Sequence, residues 1–214
     1  MDTAHLIYVF RHGQTAWNRE GRIQGHLDVP LNDTGREEAH RLAFALRRIR
    51  LDSIFTSDLS RAVHTAELAL AEASRRGWHP LVPIVADARF REVAFGKLQG
   101  LTRAEIREKF GDTVADHFGG KVLSDELLRD MGSENAGEIL TRFFAALTEH
   151  SAAYPAGSRF GVATHGGVIR RLLYHGAGID DMPAPVPNAA VFTFRFIPGT
   201  SDFRLVGKTE LGDS

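Results

Sequence analysis

Apolar positions along the chain recur with the periods of strand and helix in turn. Residues 6–10, Leu-Ile-Tyr-Val-Phe, form an unbroken apolar run that ends in Arg11 and His12. A run without alternation predicts a strand covered on both faces. A polar, glycine-bearing loop follows over residues 13–33. Ala39, Leu42, Ala43, Leu46 and Ile49 then recur at helical spacing, behind Asn32 or Thr34 as N-cap. Residues 53–57 read as a short strand, 59–75 as a helix and 81–86 as another strand. Ile139, Leu140, Phe143, Phe144 and Leu147 mark a strongly amphipathic helix. Residues 160–164 read as a strand and 168–174 as a helix. Residues 191–196 and 203–208, separated by Pro198-Gly199, predict a closing hairpin. Residues 94–133 break the alternation. There 102–110 look helical, while Gly111, Gly119, Gly120 and Gly132 lie among mixed charges, as in a cap that reads substrate.

Repeated strand–helix alternation predicts an α/β fold. The expected form is a three-layer sandwich: a mostly parallel central sheet, helices on both faces, and a small cap over the C-terminal edge of the strands. The 214 residues hold no repeat, low-complexity tract or Ser/Gly-rich linker, so a single domain over 1–214 is expected. At 43% hydrophobic and 25% charged, the composition is that of an ordinary globule. With 26 basic against 27 acidic side chains the net charge is -1, which argues against a nucleic-acid partner. No cysteine is present, which excludes a disulfide framework, a thiolate metal site and a cysteine nucleophile. The opening apolar run is too short for a signal-peptide core or a membrane span, so the chain reads as cytoplasmic with no membrane partner. The pattern says nothing of oligomeric state.

In open α/β sheets, ligands bind beyond the carboxyl ends of the strands. Arg11 and His12 follow the first predicted strand, Arg61 follows the second, and His165-Gly166-Gly167 follow the strand at 160–164. Each residue alone reads as structural: a satisfied histidine, or a solvated arginine at a helix start. All four falling on one sheet edge points to chemistry. Guanidinium forks match the tetrahedral oxygens of a phosphoryl group. A neutral imidazole can accept that group covalently, and neighbouring cations keep its lone pair free at neutral pH. Glycines beside both histidines, Gly166 among them, let backbone N–H groups approach the same anion. The helix after Gly167 would add its positive N-terminal end. The residues describe a phosphate pocket with a histidine nucleophile.

Further blocks carry a resemblance. Arg11-His12-Gly13, then Trp17-Asn18 and Gly21-Arg22-Ile23-Gln24-Gly25, resemble the opening signature of the histidine phosphatase superfamily, which includes the cofactor-dependent phosphoglycerate mutases. The similarity continues through Pro30-Leu31-Asn32-Asp33-Thr34-Gly35 and Thr56-Ser57-Asp58-Leu59-Ser60-Arg61-Ala62, with Thr65-Ala66 beyond. It recurs at Glu92-Val93-Ala94-Phe95-Gly96-Lys97-Leu98-Gln99-Gly100 and at Thr164-His165-Gly166-Gly167. This resemblance implies that His12 forms a phosphohistidine while Arg11, Arg61 and His165 hold the phosphoryl oxygens. Glu92 would protonate the leaving oxygen and then activate water. Asn18 and Gln24 would add phosphate contacts. Without the resemblance, Glu92 reads as one member of a surface ion-pair cluster with Asp87, Arg89 and Arg91. No metal or cofactor is implied, because side chains supply the cations.

Other phosphoryl-transfer architectures fit badly. The chain has no Gly-x4-Gly-Lys-Ser/Thr loop, no Asp-x-Asp after a predicted strand and no Gly-x-Ser-x-Gly elbow. His5, His26, His40, His64, His79, His117, His150 and His175 show no metal-ligand spacing; His40 and Glu37 read as a solvated pair. Asn188 either approaches the site or caps a turn, and the cap is the expected role. Within the superfamily, the mutase branch carries an Arg-Arg-Ser-Tyr and proline-rich stretch after the glutamate block, whereas residues 94–133 contain neither. The expectation is therefore a metal-independent phosphatase acting on a small phosphorylated metabolite. A phosphoglycerate mutase is the alternative, and a phospho-ligand-binding protein without turnover the third reading. Residues 95–133, with Arg22 and Ile23, are expected to read the rest of the substrate; there Lys97, Arg103, Arg107, Lys109, Lys121 and Arg129 are balanced by Glu105, Glu108, Asp112, Asp116, Asp125, Glu126 and Asp130, so no substrate class is favoured. Leu98, Leu101 and Phe118 would line an apolar wall or pack the cap.

Overall fold

A computed structural model describes residues 4–118, 123–176, 178, 186–200 and 202–209. Gly119, Gly120 and Lys121, named above in the cap, lie outside the described residues, as does the His175 side chain. Six strands form one sheet in the order β3-β2-β4-β1-β5-β6. They are β1 (His5–Arg11), β2 (Ser53–Thr56), β3 (Ile84–Ala86), β4 (Arg159–Thr164), β5 (Val191–Phe196) and β6 (Phe203–Thr209). The first four in chain order run parallel, while β5 lies antiparallel to β1 and forms the expected hairpin with β6. The mostly parallel α/β sheet is as expected.

Alternation along β1 divides the core. Ile7 and Val9 face one apolar cluster and Phe10 the other, because successive side chains leave a strand on opposite faces. On the Phe10 side, helices α2 (Asp33–Leu46) and α3 (Ser60–Arg75) pack through Ala43, Ala62, Ala66, Ala69 and Ala73. On the other side, α7 (Ala136–Ser151) and α8 (Gly166–Arg171) bury Ile139, Phe143, Val168 and Ile169 against Phe55, Phe160 and Val162. Helices therefore cover both faces.

Asn32 is the N-cap of α2; its side chain accepts from Gly35 N at 2.8 Å, and Thr34 lies inside the helix. The third strand is shorter than its apolar pattern suggests. Pro80 and Pro83 supply no N–H to a ladder, and Leu81 is 71% exposed, so pairing starts only at Ile84. Helix α8 begins at Gly166, earlier than hydrophobic spacing indicates, because glycines carry no periodicity; it closes in a wide π turn over Leu172–Gly176.

Residues 94–133 contain a 3₁₀ turn (Gly96–Leu98) and the short helices α4 (Arg103–Phe110), α5 (Asp112–His117) and α6 (Asp125–Met131). Leu98 and Ile106 are fully buried in the α7–α8 cluster, with Leu101 and Phe118 packed against it. These apolar residues serve packing. The segment is pinned to the loop after β1, where α1 (Ala16–Glu20) lies: Ile23 N donates to Leu101 O at 2.9 Å and Gly100 N to Ile23 O at 2.8 Å. Among the described residues, no helix is long and apolar enough to cross a membrane.

Candidate active site

Register explains why the predicted residues meet. Arg11 pairs with Thr164 at the ends of β1 and β4, so His12 and His165 are the next residues on neighbouring parallel strands. His12 N donates to Thr164 O at 3.0 Å, and Ser57 N to Ala163 O at 3.0 Å, which aligns the end of β2 as well. The two imidazole rings stand 5.1 Å apart, inclined at 58°. Arg61 enters from the first turn of α3, with no exposed surface.

The chemistry of the His12 ring follows from one contact. Nδ1 lies 2.7 Å from the Gly13 carbonyl oxygen, which can only accept, so Nδ1 carries the hydrogen and Nε2 the lone pair. Burial holds the His12 pKa well below its ordinary value, and the charges of Arg61 and Arg11 push the same way. His165 is held down by burial too, then by Arg61. Burial lowers Arg61 to about 10 against the attraction of Glu92 and Asp28, which leaves it charged at neutral pH.

Arg61 is aimed by two carbonyls: Nη1 donates to Leu27 O and Nη2 to Gly25 O, both at 2.8 Å. Arg11 donates through Nη1 to Val186 O. Buried and without a hydrogen-bond partner are Arg11 Nε, Arg61 Nε and both ring nitrogens of His165. Buried polar groups are almost always satisfied, so these four atoms at the strand ends could together take an oxyanion. A β-carbon on Gly166 would stand 3.2 Å from Arg11 Nε, so this glycine lets the guanidinium lie against the backbone.

Glu92 follows a 3₁₀ turn (Ala88–Phe90). Its carboxylate bridges the start of α8: Oε2 accepts from Gly167 N at 3.1 Å and Oε1 from Val168 N at 3.2 Å. The expectation that these helix N–H groups face the phosphate is therefore corrected; they hold Glu92. Nor does Glu92 join the surface ion pairs. Asp87 pairs with Arg89, and Arg91 with Asp58.

Asn18, in α1, and Gln24, in the loop beyond it, both give their side-chain oxygens to Thr15. Asn18 completes a capping box with Thr15 at the start of α1, and Gln24 Oε1 accepts from Thr15 Oγ1 at 3.1 Å. Arg22 is engaged by Glu20, Glu105 and the Gly100 carbonyl. The Asn188 amide nitrogen, expected to cap a turn, is buried without a partner. The turn is held instead by backbone: Ala189, at φ 57°, donates its N–H to Arg11 O at 3.2 Å. Left-handed backbone at a non-glycine residue costs about 1–2 kcal/mol, and here it braces Arg11. His26 and Arg142, neither expected at the site, both donate to the Glu92 carbonyl. Nothing local in the sequence marks them.

The family model of the histidine phosphatase superfamily (branch 1) matches residues 7–209. The chain belongs to this superfamily. It is 33% identical over 200 residues to phosphoglycerate mutase-like protein 4 of Arabidopsis thaliana, covering 93% of this chain and 82% of that one. It is also 33% identical over 177 residues to a 2,3-bisphosphoglycerate-dependent phosphoglycerate mutase of Gloeobacter violaceus, covering 78% and 74%. Among solved structures, phosphoglycerate mutase from Bacillus anthracis superposes with a TM-score of 0.78 at 25% identity, over 94% of this chain and 91% of that one. A mycobacterial glucosyl-3-phosphoglycerate phosphatase, solved with VO3, gives 0.74 at 25% identity over 94% and 95%. In this family setting, among the described residues, no group of three or more His, Cys, Asp and Glu could hold a metal ion.

The buried histidines give a pH prediction. An unfolded histidine titrates near pH ~6.5, and folded His12 and His165 well below it. Between those values the unfolded chain binds protons that the folded one does not. Stability is therefore fully present above the unfolded pKa and falls as pH drops through that window, by up to about 1.4 kcal/mol per pH unit for each ring. Urea midpoints between neutral and mildly acidic pH are expected to decline less steeply in His165→Asn than in the parent. Equal slopes would contradict the buried neutral state of His165.

Proposed function

We propose that this superfamily member is a phosphatase that hydrolyses small phosphate monoesters through a phosphohistidine on His12. The observation that carries the reading is the His12 ring: Nδ1–H is bound to the Gly13 carbonyl, leaving the Nε2 lone pair under the charges of Arg11 and Arg61. His12 Nε2 attacks phosphorus; the P–N bond forms as the P–O bond to the leaving group breaks. Arg11, Arg61 and His165 hold the equatorial oxygens, where charge spreads in the transition state. Glu92 is the general acid that delivers a proton to the departing oxygen, a role worth ~10²–10⁴-fold in rate. As carboxylate it then takes a proton from water; the water oxygen bonds to phosphorus, the P–N bond breaks and His12 is regenerated. No step in this scheme requires a metal, because two guanidinium groups supply the positive charge.

Hydrolysis is favoured over mutase chemistry by residues 94–133. These residues lack the Arg-Arg-Ser-Tyr and proline-rich stretch that the mutase branch carries after its glutamate block. Here Arg103 is paired with Asp116 and Arg107 with Asp112. Lys97 Nζ donates to the Asp130 carbonyl. In this scheme the same segment reads the substrate beyond its phosphate. The relatives named as mutases set the competing outcome.

Phosphate release from a panel of small esters, ranked by kcat/KM, is the test. Release is expected to persist with chelator present and to exceed isomerisation of 3-phosphoglycerate primed with bisphosphate. Faster isomerisation would assign the protein to the mutases, and no turnover of either kind would leave a binding protein.

A further inference from the structure

Glu92 sits in a stretch without ladder partners, yet its backbone is tightly held. The holder is Arg142, on α7, paired with Glu134 just before that helix; both side chains are largely buried. Arg142 Nε donates to Glu134 Oε1 at 2.8 Å and Nη2 to Glu134 Oε2 at 2.9 Å, a two-pronged pair. The guanidinium also reaches three carbonyls of the glutamate loop. Nη1 donates to Arg89 O at 2.6 Å and Arg91 O at 2.8 Å, and Nη2 to Glu92 O at 2.9 Å. Glu134 holds the far side: Oε2 accepts from Ala94 N at 2.8 Å, and its own N–H donates to Ala94 O at 2.9 Å. His26 Nε2 adds a second donor to the Glu92 carbonyl at 2.8 Å.

We propose that Arg142, oriented by Glu134, is a positioning residue that sets where the Glu92 carboxylate stands over the phosphoryl site. The inference rests on the reading of Glu92 as general acid and base. The carboxylate end of Glu92 is fixed by α8 and its main chain by α7, so the group is held at both ends. Lysine keeps the charge at 142 but cannot span a carboxylate and three carbonyls. A positioned acid loses about 10²-fold when displaced by about 1 Å.

Two leaving groups separate positioning from general damage. A para-nitrophenolate departs readily without a proton, whereas phenolate from phenyl phosphate needs one. In Arg142→Lys, kcat/KM for phenyl phosphate is expected to fall about 30- to 100-fold, and for para-nitrophenyl phosphate less than about threefold. With the nitrophenyl ester, kcat is expected to fall behind a burst of nitrophenolate, since water activation also needs Glu92. Glu134→Gln, which keeps an acceptor for Ala94 N but releases one prong of Arg142, is expected to show the same selectivity in weaker form.

Equal losses on both esters, or none, in variants with cooperative unfolding would overturn the proposal. If neither variant folds, the pair serves the scaffold and the proposal falls. Glu92→Gln in the parent background supplies the full range of selectivity. Should Glu92→Gln show none, the acid–base reading itself fails, an outcome distinct from failure at Arg142.

Discussion

His12→Ala is expected to fold and to lose turnover by an order of 10⁴-fold or more, the scale seen when a covalent nucleophile is removed. The substitution leaves the arginines and His165 in place, so phosphate esters still bind while nothing receives the phosphoryl group. The folding cost is small by comparison: one hydrogen bond to the Gly13 carbonyl, about 1 kcal/mol. Mass spectrometry of alkaline-quenched samples checks the claim directly, because a phosphoramidate survives base. The parent is expected to carry the added phosphoryl mass on the peptide containing His12. With the two rings 5.1 Å apart, His165 is the natural rival. It is the weaker candidate because neither of its nitrogens is anchored, so no tautomer is fixed. Label on His165, or unchanged rates in His12→Ala, would reverse the assignment.

Gly13→Ala is expected to damage the fold itself. A β-carbon there would stand 2.3 Å from the Gly35 carbonyl oxygen, 2.9 Å from its carbon and 3.0 Å from its Cα, all backbone atoms. No rotamer relieves this contact. Gly35 faces the same restriction, its own β-carbon falling 2.1 Å from Gln14 O. The strand end that carries His12 and the first turn of α2 interlock through two glycines, for want of space rather than for unusual φ. Accommodation requires one of these segments to shift, at about 3 kcal/mol, the upper part of the overpacking range. For a chain of this size that lowers the melting midpoint by roughly 6–12 °C. Turnover is expected to fall as well, because His12 adjoins the displaced peptide. A Gly13→Ala protein with the parent's midpoint and activity would show that the two backbones are not in contact.

Much of the fold was legible because local physics wrote it into the chain. The unbroken run at residues 6–10 identified a buried strand, and Asn32 or Thr34 announced the start of α2, of which the structure selects Asn32. Pro198-Gly199 marked the hairpin. Less legible was the start of α8 at Gly166, since two glycines have no place in a hydrophobic pattern. Residues 94–133 were opaque for a related reason: α5 and α6 have only 6 and 7 residues, too few turns for a period to show.

For the site, sequence by itself determined which side chains stand at the strand ends. Arg11, His12, Arg61 and His165 each follow an element that the pattern predicts, and a parallel sheet brings such ends to one edge. Glu92 was named through family resemblance alone, with no account of what holds it. Tertiary structure alone decided that. The bonds from Gly167 and Val168 to Glu92 join residues 75 and 76 positions apart, and those from Arg142 and His26 to its carbonyl span 50 and 66. Periodicity and capping report interactions within a few residues; contacts closed by the packing of α7 and α8 against the sheet leave no such trace.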